Sequence, residues 1–443
     1  MTKSRRIVAA AAVLLVGLAG AMAVARLGDS RTGNSSMAEP RESSEMIARG
    51  AYLAAMGDCA ACHSVPGKPA FSGGLRMEIP IGAIYTTNIT PDPINGIGNF
   101  TLADFDRALR FGVADGHTLY PAMPFTSYGN TRPEDVEALY AYFRYGVPPA
   151  SVPNRPNDIV FPLSMRWPLT YWRWIFAPTP RPFAASANVD IAVARGAYFV
   201  DGLGHCGECH TPRAVTMQMK ATSAAGGTDY LAGAVIEGYF APSLRSGGKG
   251  TLAEWTVADI AEFLRTGTNA RGTAFGSMTE VIAHSTQNMK AEDAVDTAKY
   301  LKSIVDPGAT QARFAYDQTT GSGLRSGADQ ARGARVYLDN CAACHRPDGK
   351  GYDRVFPPLA GNPVVLAANP DSVISVVLKG ATTPRTAPTP AQFAMPSFAW
   401  RLSDEQIADV VTFVRRSWGN DAEEVSARAV SSLRPAEPAQ ASR

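Results

Sequence analysis

The chain has 443 residues, of which 45% are hydrophobic and 19% charged, and its formal net charge is +2 at pH 7. This length predicts roughly three domains, and the composition excludes a disordered or collagen-like chain. A charge so close to zero, without a basic block in the folded part, argues against a nucleic-acid partner. Six cysteines are compatible with disulfides, metal sites or covalent cofactor attachment. Their positions in the chain distinguish these three uses.

The amino terminus has the layout of an export signal. Basic side chains precede an apolar run over residues 7–25, and a polar stretch follows. The run is also close to the length that crosses a bilayer. We therefore expect residues 1–25 to be a signal peptide, with a retained membrane anchor as the alternative. The rest of the chain is expected to be extracytoplasmic.

One five-residue signature, Cys-x-x-Cys-His, occurs three times and contains every cysteine. Its cysteines are Cys59, Cys62, Cys206, Cys209, Cys341 and Cys344, and its histidines are His63, His210 and His345. An Arg-Gly pair precedes each copy, at Arg49-Gly50, Arg195-Gly196 and Arg332-Gly333. A segment with helical apolar spacing follows each copy, over residues 134–145, 292–304 and 404–418. Each repeat therefore predicts a short first helix that ends at the cysteines, irregular loops and a closing helix.

This signature is the attachment pattern of c-type haem, in which both thiols form thioethers and the histidine becomes an axial iron ligand. Two residues between the cysteines on a helical turn direct both sulfurs to one edge of the porphyrin. A thioredoxin-like redox pair is the first alternative, but it would need a βαβ context. A zinc site is the second, but it usually needs two separated ligand pairs. We expect three covalent haems c.

Methionines are the candidates for the sixth iron ligand, because His/Met ligation raises the reduction potential. Met395 is the only methionine after His345, and it lies in an Ala-Met-Pro segment. Met123 lies in a segment with the same three residues, and Met278 has the equivalent place in the second repeat. The competing methionines are Met77, Met165, Met217, Met219 and Met289. The alternative role of Met123, Met278 and Met395 is to fill the cores of their loops. The remaining histidines, His117, His205 and His284, stay open as distal ligands or as surface groups.

The segment after the third signature contains two consecutive prolines, Pro357 and Pro358. A proline carbonyl there is expected to accept the N–H of His345 and to orient its ring. The first two repeats show no segment that is equally clear.

These observations predict an all-α fold of three tandem class I-like cytochrome c domains with loop-rich linkers. The boundaries follow from composition. We expect a signal or anchor at 1–25, domains at 44–149, 188–306 and 326–420, a Pro/Trp-rich linker at 150–187, a second linker at 307–325 and a frayed polar tail at 421–443.

Three further segments carry a resemblance to a known family. They are Tyr85–Asp92 (YTTNITPD), Leu119–Pro124 (LYPAMP) and Ala274–Val281 (AFGSMTEV). With the three signatures, they make residues 45–420 resemble the triheme cytochrome c subunits of bacterial membrane-bound sugar, polyol, alcohol and gluconate dehydrogenases. The family's axial methionines correspond to Met123, Met278 and Met395.

The resemblance implies an electron-transfer subunit on the periplasmic side of the inner membrane that makes no bonds in a substrate itself. It implies a partner dehydrogenase subunit with flavin or pyrroloquinoline quinone, with a molybdenum hydroxylase as an alternative, and ubiquinone as acceptor. Two further roles stay open, an independent periplasmic carrier and a peroxidase- or nitrite-reductase-like enzyme. The tail after Asn420 is polar, so we expect membrane attachment through the amino terminus or the aromatic stretch Trp167–Phe176.

Overall fold

The computed structural model describes residues 3–33, 38–185, 188–248, 252–306 and 313–435. These residues are rich in helix, and they also form short antiparallel sheets, which an all-α prediction did not include. The chain divides into two compact units. The first comprises Met1–Ala184 and Asp201–His205, and the second comprises Ala185–Val200 and Cys206–Arg443. The first unit thus holds one signature and the second unit holds two.

The first unit contains seven α-helices and five strands among its described residues. The helices are α1 (Lys3–Ser30), α2 (Ser44–Met56), α3 (Cys59–His63), α4 (Leu102–Phe111), α5 (Phe125–Tyr128), α6 (Pro133–Ala141) and α7 (Trp167–Phe176). The strands are β1 (Arg76–Ile79), β2 (Gly82–Tyr85), β3 (Val113–Ala114), β4 (His117–Thr118) and β5 (Asp158–Ile159). Strands β1, β2 and β5 form one sheet, and β3 pairs with β4. A π-helical turn, Tyr142–Gly146, follows α6.

The second unit begins with the helix that precedes the second signature. Its helices are α8 (Ile191–Tyr198), α9 (Gly207–His210), α10 (Val257–Thr266), α11 (Met278–His284) and α12 (Ala291–Ser303). Its strands form two hairpins, β6 (Ala234–Ile236) with β7 (Tyr239–Ala241), and β8 (Thr268–Asn269) with β9 (Gly272–Thr273). Short 3₁₀ turns lie at Ala224–Gly226, Leu252–Glu254 and Thr286–Asn288. A second π-helical segment is Phe199–Leu203, and its last three residues belong to the first unit.

The third signature lies in the remainder of the second unit. The helices are α13 (Thr319–Ser326), α14 (Ala334–Asn340), α15 (Ala342–His345), α16 (Pro363–Leu366), α17 (Asp371–Lys379), α18 (Asp404–Arg416) and α19 (Ala427–Leu433). Strands β10 (Ala381–Thr382) and β11 (Ala394–Met395) pair with each other, with Ala381 opposite Met395.

The middle helices of the first two repeats begin with the same capping arrangement. Thr101 caps α4, and Asp104 accepts a hydrogen bond from the Thr101 backbone N–H in return. Thr256 and Asp259 do the same for α10. These reciprocal bonds satisfy backbone donors that have no partner within the helix. The sequence pattern of threonine followed three residues later by aspartate therefore fixes both helix starts.

The helix before each signature packs against the closing helix of its repeat at the Arg-Gly pair. A Cβ atom added to each glycine would collide with a carbonyl oxygen of that closing helix. The distances are 1.9 Å from Gly50 to Ala138, 2.1 Å from Gly196 to Asp296 and 2.2 Å from Gly333 to Asp409. Only glycine permits this approach. The arginines form ion pairs with the same helices, Arg49–Asp135 at 2.6 Å, Arg195–Asp296 at 2.7 Å and Arg332–Asp409 at 3.7 Å.

Aromatic side chains of the closing helices complete these contacts. In the first unit, Tyr140 and Phe143 are buried in a cluster with Val136 and Leu139. In the third repeat, the rings of Tyr337, Phe413 and Trp418 lie within 5.9 Å of one another. Each repeat therefore has its core at the crossing of its first and last helices.

The expectation of a frayed tail is wrong for residues 421–435. Helix α19 lies there, with Val430 fully buried. Arg434 Nε lies 2.7 Å from Asp404 Oδ1 on α18. Isolated apolar residues were enough to fold this segment, because α17 and α18 provide the surface that covers them. Residues 307–312 of the predicted linker and 436–443 of the predicted tail lie outside the described residues.

Candidate functional site

Each Cys-x-x-Cys-His signature forms a single helical turn. The turns are α3, α9 and α15, and each ends at its histidine. The two cysteines of a signature have two residues between them, so they lie about one turn apart. The local geometry therefore directs two thiols and an imidazole to neighbouring positions, three times in one chain.

The three signature histidines share one hydrogen-bond pattern. The distance from Nδ1 to a backbone carbonyl oxygen is 2.6 Å between His63 and Thr87, 2.7 Å between His210 and Pro242, and 3.0 Å between His345 and Pro357. The predicted proline carbonyl at His345 is confirmed. A carbonyl oxygen only accepts, so each Nδ1 carries the proton and donates it. The lone pair of each imidazole is therefore on Nε2, the nitrogen available to a metal.

The electrostatic surroundings keep these imidazoles neutral. Burial lowers the pKa of His63, His210 and His345, and the hydrogen bond to the backbone carbonyl only partly opposes that effect. The lowered pKa means that the neutral form dominates at pH 7. A neutral imidazole with its Nδ1–H donated is the form that binds iron and has its ring orientation fixed.

A glycine supports each histidine from its backbone side. Gly73, Gly233 and Gly351 donate their N–H to the carbonyl oxygens of His63, His210 and His345 at 2.8, 2.8 and 3.1 Å. All three glycines have positive φ angles, which favour this residue. Sequence reasoning missed this arrangement and the carbonyls of Thr87 and Pro242. The glycines follow their histidines at unequal distances along the chain, so no fixed spacing marks them.

The first cysteine of two signatures has a raised pKa. Burial raises the pKa of Cys59 and of Cys341 to about 12, so both thiols are protonated at pH 7. Within the described ranges, no three His, Cys, Asp or Glu side chains converge to hold a metal ion. The donor set fits covalent haem instead, since thioether formation consumes thiols and leaves the histidine as ligand.

The candidate axial methionines lie in three different local structures. Met123 packs against the same apolar cluster as Cys59. Met278 is the first residue of α11, and Met395 lies on β11 opposite Ala381. All three are partly buried. Each methionine lies after the signature and before the closing helix of its repeat.

The competing methionines have different surroundings. Met165 and Met217 are exposed, whereas Met289 is 2% exposed and belongs to the core. Met77 lies on β1 opposite Ile84. The Met219 sulfur lies 3.2 Å from the position of a Cβ atom on Gly207, so this side chain packs beside the second signature. The structure thus places Met219 closer to a signature than its position in the sequence indicates.

The three remaining histidines have contacts of their own. His284 Nε2 lies 3.2 Å from Glu280 Oε2, one turn away on α11. His117 is exposed on β4. The ring of His205 lies edge-on to Tyr128, with 5.7 Å between centroids. Surface and packing roles therefore describe these histidines better than iron ligation.

Comparison with known proteins gives one matching family model and several relatives. The model for cytochrome c matches residues 330–418, which contain the third signature. The gluconate 2-dehydrogenase cytochrome c subunit of Pantoea cypripedii is 48% identical over 91% of this chain and 93% of its own length. The alcohol dehydrogenase (quinone) cytochrome c subunit of Gluconacetobacter polyoxogenes is 48% identical, over 86% of this chain and 82% of its own length. The fructose dehydrogenase cytochrome subunit of Gluconobacter japonicus is 37% identical, over 88% and 82%.

Proposed function

Because the chain belongs to the family of dehydrogenase cytochrome c subunits, we propose that it is a triheme electron-transfer subunit. In this proposal it relays electrons from a partner flavin- or PQQ-dependent dehydrogenase subunit to ubiquinone. The observation that carries the proposal is the construction shared by His63, His210 and His345, each neutral, with Nδ1 held by a carbonyl. All three signatures contain a neutral histidine whose Nδ1–H is donated to a backbone carbonyl, and this supports the assignment of three haems.

Covalent haem c, when bound, supplies reversible one-electron chemistry at iron. In the proposal, the six signature cysteines form the thioethers, and the three signature histidines supply the proximal nitrogen. The Thr87, Pro242 and Pro357 carbonyls fix the ring orientation and increase the basicity of Nε2. The chain's contribution is therefore the position, the ligation and the potential of each haem.

Met123, Met278 and Met395 are proposed as the second axial ligands. A methionine sulfur raises the reduction potential and closes the position that a small-molecule substrate would need. This set distinguishes an electron carrier from a peroxidase- or nitrite-reductase-like enzyme. We assign substrate chemistry to the partner subunit and none to this chain.

The partner and the acceptor are inferred from the names of the relatives. These relatives are subunits of gluconate, alcohol (quinone) and fructose dehydrogenases. By analogy, the proposed donor is a subunit that oxidises a CH–OH group, and the proposed acceptor is ubiquinone. A molybdenum hydroxylase as donor and an independent periplasmic carrier are the alternatives.

Attachment to the inner membrane from the periplasmic side is proposed for the first unit. The part of α1 from Ile7 to Ser30 is long and apolar enough to cross a membrane. Its last turns contact α7. The Tyr171 hydroxyl donates to the Ala21 carbonyl at 3.0 Å, and a Cβ atom on Gly28 would lie 2.1 Å from the Trp174 indole.

A buried polar cluster holds the end of α1 on α7. Asp29 pairs with Arg173 at 3.0 Å, and the Thr118 and Thr170 hydroxyls donate to the Asp29 carboxylate at 3.0 and 2.8 Å. Asp29 is 3% exposed. These bonds hold the end of the apolar helix at α7.

The surface beside this junction is apolar and exposed. Phe161, Ile175 and Val160 are 79%, 70% and 66% exposed, and Leu163 and Trp174 are also exposed. Tryptophan and tyrosine side chains are enriched at the boundary between lipid and water. We propose that α7 and the segment before it lie in this boundary.

The proposal of a triheme relay is tested on the native protein extracted in detergent. Haem is counted per chain, and copurifying subunits are identified by mass spectrometry and by cofactor absorbance. Three haems with a stoichiometric flavin or PQQ subunit are the expected result. Fewer than three haems would contradict the triheme assignment, and a triheme chain that purifies alone would favour the independent carrier.

The membrane surface is tested on a chain in which a cleavable export signal replaces residues 1–25. We expect this chain to bind vesicles of phosphatidylethanolamine and phosphatidylglycerol. The double variant Trp174→Ser, Ile175→Ser should lose binding. The control is Trp400→Ser, which removes a side chain that is 79% exposed in the second unit and should leave binding unchanged. Equal binding of all three chains would overturn the assignment.

A further inference from the structure

The β6–β7 hairpin contacts the loop that carries Met278. The ring of Tyr239 lies 5.9 Å from the ring of Phe275, measured between centroids. Ser277, the neighbour of Met278, donates a hydrogen bond to the Glu237 carboxylate at the hairpin turn. Pro242, the residue after β7, accepts the Nδ1–H of His210. One hairpin therefore touches both the proximal and the proposed distal side of the second signature.

The same hairpin is hydrogen-bonded to α17 of the third repeat. The Ser372 hydroxyl donates to the Phe240 carbonyl at 2.8 Å and accepts from the Phe240 N–H at 2.9 Å. Ser375 donates to the Gly238 carbonyl. Both serines are essentially fully buried. Buried hydroxyls with these partners fix the helix on the hairpin, because separation would leave the hydroxyls without hydrogen bonds.

The end of α17 continues this contact to Met395. Lys379 Nζ lies 4.6 Å from the centre of the Tyr239 ring and 3.5 Å from the Glu237 carbonyl oxygen. Gly380 follows with φ +77°, and a Cβ atom there would lie 2.6 Å from the Met395 carbonyl oxygen. The next residue, Ala381, pairs with Met395. A continuous series of contacts thus joins the Met278 loop to the Met395 strand.

We propose that Tyr239 and Lys379 are positioning residues that couple the second haem to the third. The inference rests on the proposed function, since it takes Met278 and Met395 as iron ligands. Tyr239 fixes the separation of the two methionine segments through its contacts with Phe275 and Lys379. With haems held at Met278 and Met395, the Lys379 ammonium between these two segments would stabilise an added electron, because a cation favours the more negative state.

The first test measures electron exchange between the second and third haems in the full-length holoprotein after photoreduction. Each haem is identified beforehand by the spectral change of its own methionine variant. We expect Tyr239→Leu to slow the exchange, because the ring contact that fixes the two methionine segments is lost. Tyr239→Phe keeps the ring and should restore the rate. An unchanged rate in Tyr239→Leu would overturn the role of the ring.

The second test uses Lys379→Met, an exposed change that leaves the buried serines intact. The reduction potentials of the second and third haems should both fall, and that of the first should stay. Lys350→Met is the matched control. Lys350 Nζ lies 4.2 Å from the Tyr316 ring and has no contact with the hairpin among the described contacts, so only the third potential should fall. Identical shifts in the two variants would contradict the proposed coupling.

Failure of the proposed function is recognised separately on the parent protein. A haem count below three, or the absence of methionine ligation from the parent spectra, would refute the assignment of the ligands. A parent with three His/Met haems whose Tyr239 and Lys379 variants behave as their controls would refute the coupling alone.

Discussion

The two compact units hold their signature histidines in the same way but differ in what surrounds them. His63 in the first unit and His210 and His345 in the second all donate Nδ1–H to a backbone carbonyl. Beyond that, the first unit has a buried ionic cluster at Asp29 and an exposed apolar surface. The second unit has two repeats joined by hydrogen bonds between α17 and the β6–β7 hairpin.

This comparison separates features that recur in every repeat from features that occur in only one unit. The support of each histidine is local and recurs with each repeat, so it belongs to the chemistry that all three signatures share. The Asp29 cluster and the hairpin contacts occur once each in the described part of the chain, so each is particular to its own unit. Changes to shared features should affect every unit alike, whereas changes to the unshared ones should affect one unit.

The largest expected effect is the loss of one haem. Replacing both cysteines of a signature by serine, at Cys59 and Cys62 or at Cys341 and Cys344, should remove one of three haems in either unit, because both thioethers are lost. A pyridine haemochrome assay per mole of protein measures this loss. His284→Ala is the control, since this exposed side chain pairs only with Glu280 in the described contacts. A full haem complement in a double-cysteine variant would refute the attachment sites.

The next largest effect is a loss of stability that is confined to the first unit. Asp29→Ala leaves Arg173 buried without its carboxylate, which should cost about 3–5 kcal/mol in the free energy of unfolding of that unit. Denaturant titration with a probe in each unit measures it, and the second unit should keep its transition. Asp339→Ala is the matched control, because its pair with Arg335 is exposed and should cost only about 0–1 kcal/mol. Equal losses in the two variants would show that the cluster adds nothing beyond a surface pair.

A smaller effect tests the helix crossings that both units share. Gly196→Ala places a Cβ atom 2.1 Å from the Asp296 carbonyl oxygen, so the two helices must separate. We expect a loss of about 1–3 kcal/mol, as for overpacked sites in general. The control, Gly226→Ala, meets no atom closer than 3.6 Å. Thermal unfolding of both variants gives the comparison, and equal melting temperatures would contradict the proposed close approach.

The smallest effect concerns pH and should be the same in both units. Partial burial raises the pKa of Asp104, but hydrogen bonds from Thr101 and the Arg107 guanidinium outweigh it and hold the pKa below its ordinary value. Thr256 and Arg271 do the same for Asp259. A lowered folded-state pKa gives stability that is present above the unfolded pKa, about 3.9, and lost as pH falls through the folded value.

Asp104→Asn and Asp259→Asn should therefore reduce the loss of stability in acid. At neutral pH each should cost about 0.3–1 kcal/mol, the usual value of a carboxylate in the first turn of a helix. Denaturant midpoints between neutral pH and pH ~3 test this. An unchanged pH dependence in both variants would show that these carboxylates do not contribute to it.

Much of the candidate site could be predicted from the sequence, because its chemistry depends on adjacent residues. The three signatures and the proline carbonyl at His345 lie within short segments whose local geometry is nearly fixed. Thr87 and Pro242 were missed, since their carbonyls approach the histidines through loops of unequal length. The helix at Ala427–Leu433 was missed because its few apolar side chains are covered only by α17 and α18.

The sequence by itself determined the turn geometry of each signature, the glycine at each helix crossing and the family of the chain. These features depend on spacing along the backbone. The tertiary structure alone decided which carbonyls orient His63 and His210, where α1 ends against α7 and how the hairpin at Tyr239 joins two methionine segments. Those contacts connect residues tens to more than a hundred positions apart, and packing and burial rather than local preference bring them together.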